Sequence, residues 1–235
     1  MTRNGMYVRD GDRIVRKHLS YRQIRRLYRD APQNLYSEVF FETLQKQRVW
    51  QMEMGHVIAA KMGVKSVVDF GCGSGYFLEG LLEGGAKTVL GFEYFPENAK
   101  SCMSTGISEF IKQGNVMEPI LCGLHDLSMS IEVAEHIMPE KSDVFVDNIT
   151  KASQHYVMLS AAPPGQRGTG HINLQEPSFW FDKFAARGFP YNDNLTVFMR
   201  KAFGGMVTFG QLPGFMRTKV YFFSKQDSPD TWKTL

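Results

Sequence analysis

Apolar side chains follow two different periodicities on either side of Gly63. Over residues 35–62 they recur at helical spacing, which predicts one long helix or two helices in series that end at Gly63. From residue 66 onwards, short β-branched or aromatic runs alternate with helical stretches. This alternation predicts a parallel sheet with helices on both faces.

The second part of the chain divides into successive strands and helices. Strands are predicted at residues 66–70, 88–92, 109–112, 127–131, 156–160 and 219–224. Helices are predicted at residues 76–82, 96–104, 140–152, 178–187 and 194–202. We therefore expect residues 63–235 to form one α/β domain.

The start of the chain shows neither pattern clearly. Residues 1–19 predict an irregular arm, and residues 20–30 predict a short basic helix that ends before Pro32. We expect residues 1–62 to form a basic arm with helices, an N-terminal extension that covers the substrate side of the domain.

Composition places the chain among globular proteins. It has 235 residues, of which 43% are hydrophobic and 22% are charged. No apolar run reaches the length of a membrane-spanning helix, and the first residues lack the apolar stretch of a secretion signal. Three cysteines are too few and too irregularly spaced for a disulfide framework. We expect a cytoplasmic protein with no membrane partner.

Positive charge is concentrated at the N-terminus. Residues 1–29 contain nine Lys or Arg and two Asp, although the whole chain has a net charge of only +3. Four of these residues would share one face of a helix: Arg22, Arg25, Arg26 and Arg29. This face is either solvated surface or, with the rest of residues 3–29, a contact for an anionic partner such as RNA.

A glycine-rich turn follows the first predicted strand of the domain. Its pattern is Asp-x-Gly-x-Gly-x-Gly and comprises Asp69, Gly71, Gly73 and Gly75. Glycines allow a sharp turn and a close approach to a ligand, and ligands of open α/β sheets bind at the carboxyl ends of the strands. A carboxylate here would repel a pyrophosphate but would attract a cationic ligand. Glu93, at the end of the next strand, can accept both hydroxyls of a ribose. The alternatives are a turn without a ligand and a nicotinamide cofactor.

These residues resemble motif I and the ribose-binding acid of class I S-adenosylmethionine-dependent methyltransferases. The resemblance covers about residues 60–160. It implies a Rossmann-like, doubly wound, mostly parallel seven-stranded sheet, and S-adenosyl-L-methionine as the cofactor. It also implies that Asn115 and Val116 contact the adenine, with Asn115 replacing the Asp that is common there. An ordinary turn is the other interpretation of Asn115.

A second polar cluster follows the predicted strand 127–131. Glu132 and Glu135 are three residues apart and precede His136, and His171 follows the next strand. Two carboxylates and two imidazoles could bind a divalent metal such as Mg, Mn, Fe or Zn. Without a metal, Glu135 and His136 would be structural or would contact the substrate. His171 could then act as a general base. Glu132 also adjoins the expected cofactor position.

The Glu-x-x-Glu-His segment is similar to that of ubiquinone-pathway O-methyltransferases. It is also similar to that of small-RNA 2′-hydroxyl methyltransferases, which use a metal and a further histidine. These resemblances imply O-methylation of a small-molecule or sugar hydroxyl, with RNA 2′-O-methylation as the alternative. A binding module that retains the cofactor fold without catalysis is a third possibility. We expect the acceptor pocket between the loop 163–173, the aromatic helix 178–187 and the N-terminal helix.

Overall fold

A six-stranded sheet forms the centre of the computed structural model, which describes residues 4–10 and 13–233. Its strand order is β5-β4-β3-β6-β7-β8; the first five strands are parallel, and β8 runs antiparallel to β7. The strands are β3 (Ser66–Phe70), β4 (Thr88–Glu93), β5 (Ile111–Gln113), β6 (His125–Ile131), β7 (Ser153–Ser160) and β8 (Val220–Ser224); β1 (Asn4–Asp10) and β2 (Arg13–Leu19) form a separate hairpin. The prediction of a mostly parallel α/β sheet is confirmed.

Helices cover both faces of the sheet. They are α1 (Tyr21–Asp30), α2 (Glu38–Leu44), α3 (Arg48–Met62), α4 (Tyr76–Glu83), α5 (Pro96–Ala99), α6 (Ser142–Lys151), α7 (Pro177–Ala185), α8 (Asp193–Gly204) and α9 (Gly214–Thr218). Successive side chains of a strand point to opposite faces, so Val67 and Val68 enter different cores. One core contains α3, α4 and α8, and the other contains α6 and α7. This is the doubly wound arrangement that the sequence predicts.

The sheet has six strands in the described part of the chain, not the seven that the resemblance implies. Residues 205–219, between α8 and β8, form a 3-10 turn at Phe209–Gln211 and the short helix α9 instead of a strand. This stretch contains three glycines and a proline, which do not favour a strand interior. β8 therefore pairs with β7 and has no second neighbour among the described strands.

The N-terminal extension begins with strands, which corrects the prediction of an irregular arm. β1 and β2 pair antiparallel along their whole length, with Asn4 opposite Leu19 and Asp10 opposite Arg13. Both strands contain apolar or aromatic residues as well as charged ones, and the hairpin pairs them across the two strands, for example Tyr7 with Arg16 and Arg9 with Ile14. Arg3 and Asp12, which belong to the predicted basic arm, lie outside the described residues.

The helices of the extension follow the prediction more closely. The basic helix is α1, which begins with a capping box formed by Ser20 and Gln23. The stretch 35–62 contains two helices, α2 and α3, joined by a 3-10 turn at Gln45–Gln47.

In the α/β domain, the predicted helix 96–104 is shorter, because α5 ends at Ala99 and a 3-10 turn follows at Lys100–Cys102. Within the described residues, no helix has the length and hydropathy needed to cross a membrane.

Acidic neighbours partly neutralise the basic face of α1. Arg25 Nη2 lies 3.0 Å from Glu140 Oε1. The carboxylate of Asp30 forms ion pairs with Arg29 Nε at 2.7 Å and with Arg26 Nε at 3.4 Å. These pairs are exposed, so each stabilises the fold little. The opposite face of α1 packs inward through buried residues, which anchors the extension to the domain.

Candidate functional site

A cavity of about 500 Å³ opens at the carboxyl ends of the parallel strands. Its floor consists of the segments that follow β3, β4, β5 and β6, and one wall is the loop after β7. Its roof comes from the N-terminal hairpin, α1 and α2. Because this edge of the sheet is where open α/β folds bind ligands, the cavity is the candidate active site.

The glycine turn forms one end of the cavity. Gly71 and Gly73 both have positive φ, at 87° and 56°. A Cβ atom on Gly71 would lie 2.4 Å from Val133 Cγ2, whereas one on Gly73 would have no atom nearer than Phe41 Cε1 at 4.0 Å. Gly73 therefore presents its backbone to open cavity, where a ligand can approach closely. Gly75 lies behind the turn and is the N-cap of α4.

Asp69 is a buried carboxylate that lacks a complete set of partners. Its side chain lines the cavity with 2% exposure, and Oδ1 has no hydrogen-bond partner. Burial, followed by repulsion from Glu93, raises the pKa of Asp69 to about 8. An unpaired carboxylate beside an open cavity is stabilised by a cation, since an opposite charge offsets the loss of solvation. The ammonium and sulfonium groups of S-adenosylmethionine have this charge.

Glu93 ends β4 beside the glycine turn, where its carboxylate binds backbone amides. Gly73 donates to Oε2 at 3.0 Å, and Tyr94 and Phe95 donate to Oε1 at 2.8 and 3.2 Å. Burial raises the pKa of Glu93, and these three backbone hydrogen bonds oppose the rise. The side chain thus connects β4 to the glycine turn, and Oε2, which accepts only one of the three bonds, has a further lone pair for a ligand hydroxyl.

Asn115 and Val116 also line the cavity, but the amide of Asn115 is already engaged. Its Oδ1 accepts a hydrogen bond of 3.0 Å from the Met117 backbone, which is the local turn that asparagine favours. Val116 is buried at 9% exposure and presents an apolar surface suited to a flat ring. A contact between Asn115 and adenine remains a prediction.

Three of the four predicted metal ligands converge at the other end of the cavity. Glu135 Oε1 lies 3.9 Å from Nε2 of His136 and 3.9 Å from Nε2 of His171. One donor atom from each residue lies within 4.8 Å of the others. The two imidazole rings meet edge to face, with centroids 4.9 Å apart. Glu135 and His136 thus present an oxygen and a nitrogen atom toward the same point as a nitrogen atom of His171, which follows His136 by 35 positions.

Burial disfavours the charged form of each of these three side chains. Glu135 is fully buried with neither oxygen hydrogen-bonded, and burial followed by repulsion from Glu132 raises the pKa of Glu135. Burial lowers the pKa of His136, and the nearby His171 lowers it further. Burial lowers the pKa of His171 to about 4, although the hydrogen bond that His171 Nδ1 donates to the Gln166 carbonyl raises it. Both imidazoles are therefore neutral at physiological pH and can bind a metal or accept a proton.

Glu132 lies outside this group, although it lines the same cavity. Ser160 donates to Oε1 at 2.8 Å and Gln166 donates to Oε2 at 3.3 Å. Its backbone has φ of 56°, the only positive φ of a non-glycine residue in the described chain. Strained backbone of this kind is often found at functional sites. Glu132 is close enough to raise the pKa of Glu135, but the oxygens of Glu132 accept from Ser160 and Gln166 and are not part of the group of three.

Backbone hydrogen bonds attach the His171 loop to the Glu135 segment. The carbonyl of Glu135 accepts from Ile172 at 2.9 Å and from Asn173 at 3.0 Å. The Asn173 side chain, buried at 1% exposure, donates to the carbonyl of Ala134 at 3.2 Å. This pairing explains why His171 and Glu135 meet. The analysis of the sequence missed Asn173, although it lies in the polar loop 163–173 that was predicted to be functional.

The roof contributes residues that the sequence analysis did not assign to the site. Tyr28 and Tyr36 line the cavity, and their hydroxyls are hydrogen-bonded to each other. Tyr28 also donates to the carbonyl of Gly170 at 3.1 Å, and the Tyr36 ring meets His136 edge to face at 5.9 Å. These contacts connect the N-terminal extension directly to the histidine end of the cavity.

The aromatic helix predicted beside the acceptor pocket lies elsewhere. Trp180 of α7 is buried at 2% exposure and packs against Phe145, while Phe181 stacks on Tyr191. None of Phe179, Trp180 and Phe181 lines the cavity. Their periodicity marks the core-facing side of a helix that covers the sheet, so this part of the predicted acceptor pocket was wrong. The loop 163–173 does contribute, through Gln166 to Thr169 and His171.

Comparison with known proteins relates this fold to methyltransferases. The sequence matches no protein-family model and no curated protein. Among solved structures, an O-methyltransferase family protein from Burkholderia thailandensis aligns with a TM-score of 0.59 and 9% identity, over 96% of this chain and 81% of that one. Magnesium protoporphyrin IX methyltransferase from Synechocystis, with bound S-adenosylmethionine, aligns with a TM-score of 0.55 and 15% identity, over 88% and 98%.

A third similar structure is a longer protein. The mitomycin 7-O-methyltransferase aligns with a TM-score of 0.54 and 16% identity, over 74% of this chain. The present chain spans only 56% of that enzyme. At these identities the likeness shows the fold: the chain has the Rossmann-like architecture that these methyltransferases share.

Proposed function

We propose that this chain is an S-adenosylmethionine-dependent methyltransferase that methylates a hydroxyl group of a small molecule or sugar. The observation that carries the proposal is one cavity with two chemically different ends. At one end an unpaired carboxylate, Asp69, lies beside an open glycine turn. At the other end a carboxylate and two neutral imidazoles, Glu135, His136 and His171, converge.

The residues of the first end fit the cofactor. Asp69 would accept a hydrogen bond from a cationic group, and Oε2 of Glu93 would accept from a ribose hydroxyl. Gly73 leaves room for the ligand, and Val116 offers an apolar contact for the adenine. The cofactor would supply a methyl group attached to a positively charged sulfur. The protein's main contribution is to align the acceptor with that methyl group and to exclude water.

The residues of the second end can remove the proton of an acceptor hydroxyl. Methyl transfer forms one carbon–oxygen bond and breaks one carbon–sulfur bond, so the hydroxyl proton needs a base. His171 Nδ1 lies 3.3 Å from the carbonyl of Gln166, a contact that favours a proton on Nδ1. Nε2 then faces Glu135 as the basic nitrogen. His171 would accept the proton there.

The same three residues fit a divalent metal, which we propose as an assisting cofactor. Both Glu135 oxygens are buried without partners, and metal coordination is one way to satisfy them. Metal–ligand bonds of about 2.0–2.2 Å would require Glu135 Oε1 to move closer to Nε2 of His136 and of His171, each of which now lies 3.9 Å away. Such an ion would supply Lewis acidity that lowers the pKa of an acceptor hydroxyl. Of the metals that the sequence suggests, Fe and Zn suit one carboxylate and two imidazoles better than Mg, which prefers oxygen ligands.

Calorimetry with S-adenosylhomocysteine tests the cofactor assignment. A ligand of the native state adds RT ln(1 + [L]/Kd) to stability, so binding should also raise the melting temperature. If millimolar ligand produces no heat of binding and no rise in melting temperature, the proposed function is contradicted.

Titration with Mn²⁺, followed by electron paramagnetic resonance, tests the metal separately. We expect Glu135→Gln to weaken Mn²⁺ binding about tenfold or more. Replacing a residue that only hydrogen-bonds to a metal ligand already has an effect of that size, and Glu135 would be a ligand itself. Replacing the exposed Glu109 by Gln is the matched control and should leave Mn²⁺ binding unchanged. If Glu135→Gln binds Mn²⁺ as the parent protein does, the residues act without a metal. The methyltransferase proposal would survive, because it depends on the other end of the cavity.

A further inference from the structure

The acidic and the basic residues that line the cavity come from different segments of the chain. Its carboxylates are Asp69 and Glu93 at the glycine turn, and Glu132 and Glu135 in the segment after β6. Of the described residues that line it, the only Lys or Arg are Arg16 and Arg167. These two lie on the hairpin and on the loop that contains His171, so both positive charges are on the acceptor side.

Arg16 is directed into the cavity by the geometry of the hairpin. It pairs with Tyr7 across the two strands, and both side chains line the cavity. The Arg16 guanidinium carbon lies 6.0 Å from the centroid of the Tyr7 ring, which supports the planar group from one side. Lys17, the next residue along the strand, is exposed and does not line the cavity. This alternation is what a strand requires.

Among the described residues, no carboxylate forms an ion pair with Arg16. Its Nε is buried and has no hydrogen-bond partner, whereas Arg25, Arg48 and Arg187 all form ion pairs with carboxylates. A buried donor on a charged group without an acceptor is costly, and the cost falls when a ligand supplies the acceptor. Planar guanidinium groups match carboxylate and phosphate oxygens in particular.

We propose that Arg16, assisted by Arg167 at the rim, binds an anionic group, a carboxylate or a phosphate, carried by the methyl acceptor. The term acceptor depends on the function proposed above, but the anion site itself depends only on these side chains. Cofactor and acceptor would share about 500 Å³, which is the size of a single small-molecule site. A small anionic hydroxyl compound therefore suits the cavity better than a nucleic acid does.

Arginine Nε–H resonances of the protein saturated with S-adenosylhomocysteine provide the test. Inorganic phosphate and acetate would be titrated separately at constant ionic strength, and Arg16→Lys would assign the Arg16 signal. We expect a saturable shift of that signal, and the anion that binds more tightly identifies the chemical class. Arg16→Gln, followed through the Arg167 signal, should weaken binding about tenfold or more, as loss of one charge-assisted contact does. Lys17→Gln removes the same charge from the same strand and should leave the affinity unchanged.

Each remaining outcome is decisive. A signal that does not respond to either anion up to about 50 mM, where even very weak sites fill, would overturn the proposal. A saturable shift with a short single-stranded RNA, but with neither free anion, would also overturn it and would assign the site to nucleic acid. Failure to bind S-adenosylhomocysteine by calorimetry would reject the methyltransferase proposal instead. The anion titration on the free protein would then still test Arg16.

Discussion

Replacing Asp69 by Asn should strengthen the fold and weaken the cofactor site at the same time. Burial and Glu93 raise the pKa of Asp69 to about 8, from an ordinary value of 3.8. Between these two pH values the folded protein holds a proton on Asp69 that the unfolded chain has released. The contribution of Asp69 to stability therefore falls as pH rises from about 4 to about 8.

The size of the effect follows from that window. Each pH unit between the two pKa values removes about 1.4 kcal/mol, so at pH 7 Asp69 destabilises the folded state by about 4 kcal/mol. Asn does not titrate, but it is also a buried polar side chain and retains part of this penalty. The stability difference between Asp69→Asn and the parent protein should grow by about 3 kcal/mol from pH 5 to pH 7. The burial penalty of Asn is the same at both pH values, so it does not affect this increase.

Urea unfolding of both proteins at several pH values measures this difference. Asp182→Asn, at an exposed position on α7, is the control and should show no such trend. Calorimetry of S-adenosylmethionine should show that Asp69→Asn lowers affinity about a hundredfold, the effect of breaking a buried charge pair. Binding to the parent protein at pH 7 should release nearly one proton. A stability difference that does not change with pH, or unchanged cofactor affinity, would refute the reasoning.

Two further variants test the glycine turn and the roof. Gly73→Ala should abolish cofactor binding measured by calorimetry, because its Cβ would occupy the cavity. Gly123 also has a positive φ, and a Cβ there would have no close neighbour, so Gly123→Ala controls for backbone strain and should bind the cofactor as the parent protein does. Tyr28→Phe removes the donor to the Gly170 carbonyl and should lower the free energy of unfolding by about 1–3 kcal/mol in urea titrations. An unchanged unfolding midpoint for Tyr28→Phe would show that the roof is not attached to the histidine loop by this contact.

The parts of the fold that could be predicted are those with a strong local signal. The run from Val67 to Gly75 combines a buried strand, glycines and an acidic residue, and it forms the strand and turn at the predicted place. Hydrophobic periodicity located the other main strands within a few residues, because burial on both faces of a parallel sheet requires continuous apolar runs. Glu135, His136 and His171 meet as predicted, since the segments after adjacent parallel strands share one edge of the sheet.

The parts that could not be predicted depend on contacts between distant segments. Arg16 and Lys17 are indistinguishable as basic residues, and only the pairing of Arg16 with Tyr7 shows which of them enters the cavity. The charge density of the N-terminus suggested an arm, whereas cross-strand pairing determines a hairpin. Likewise, the position of Glu132 beside Glu135 suggested a shared metal, but a positive φ directs its carboxylate to Ser160.

The charges of the cavity indicate why the N-terminal hairpin belongs to the site. Asp69 and Glu93 favour a cation at the glycine turn, and Arg16 and Arg167, on the hairpin and on the loop that contains His171, favour an anion. A ligand with one charge would satisfy only one end, whereas a cationic methyl donor and an anionic acceptor satisfy both. The two would then meet beside His171, where a proton has to be removed. Since the domain after residue 63 contributes only Arg167 to the basic end, the hairpin completes the acceptor side through Arg16.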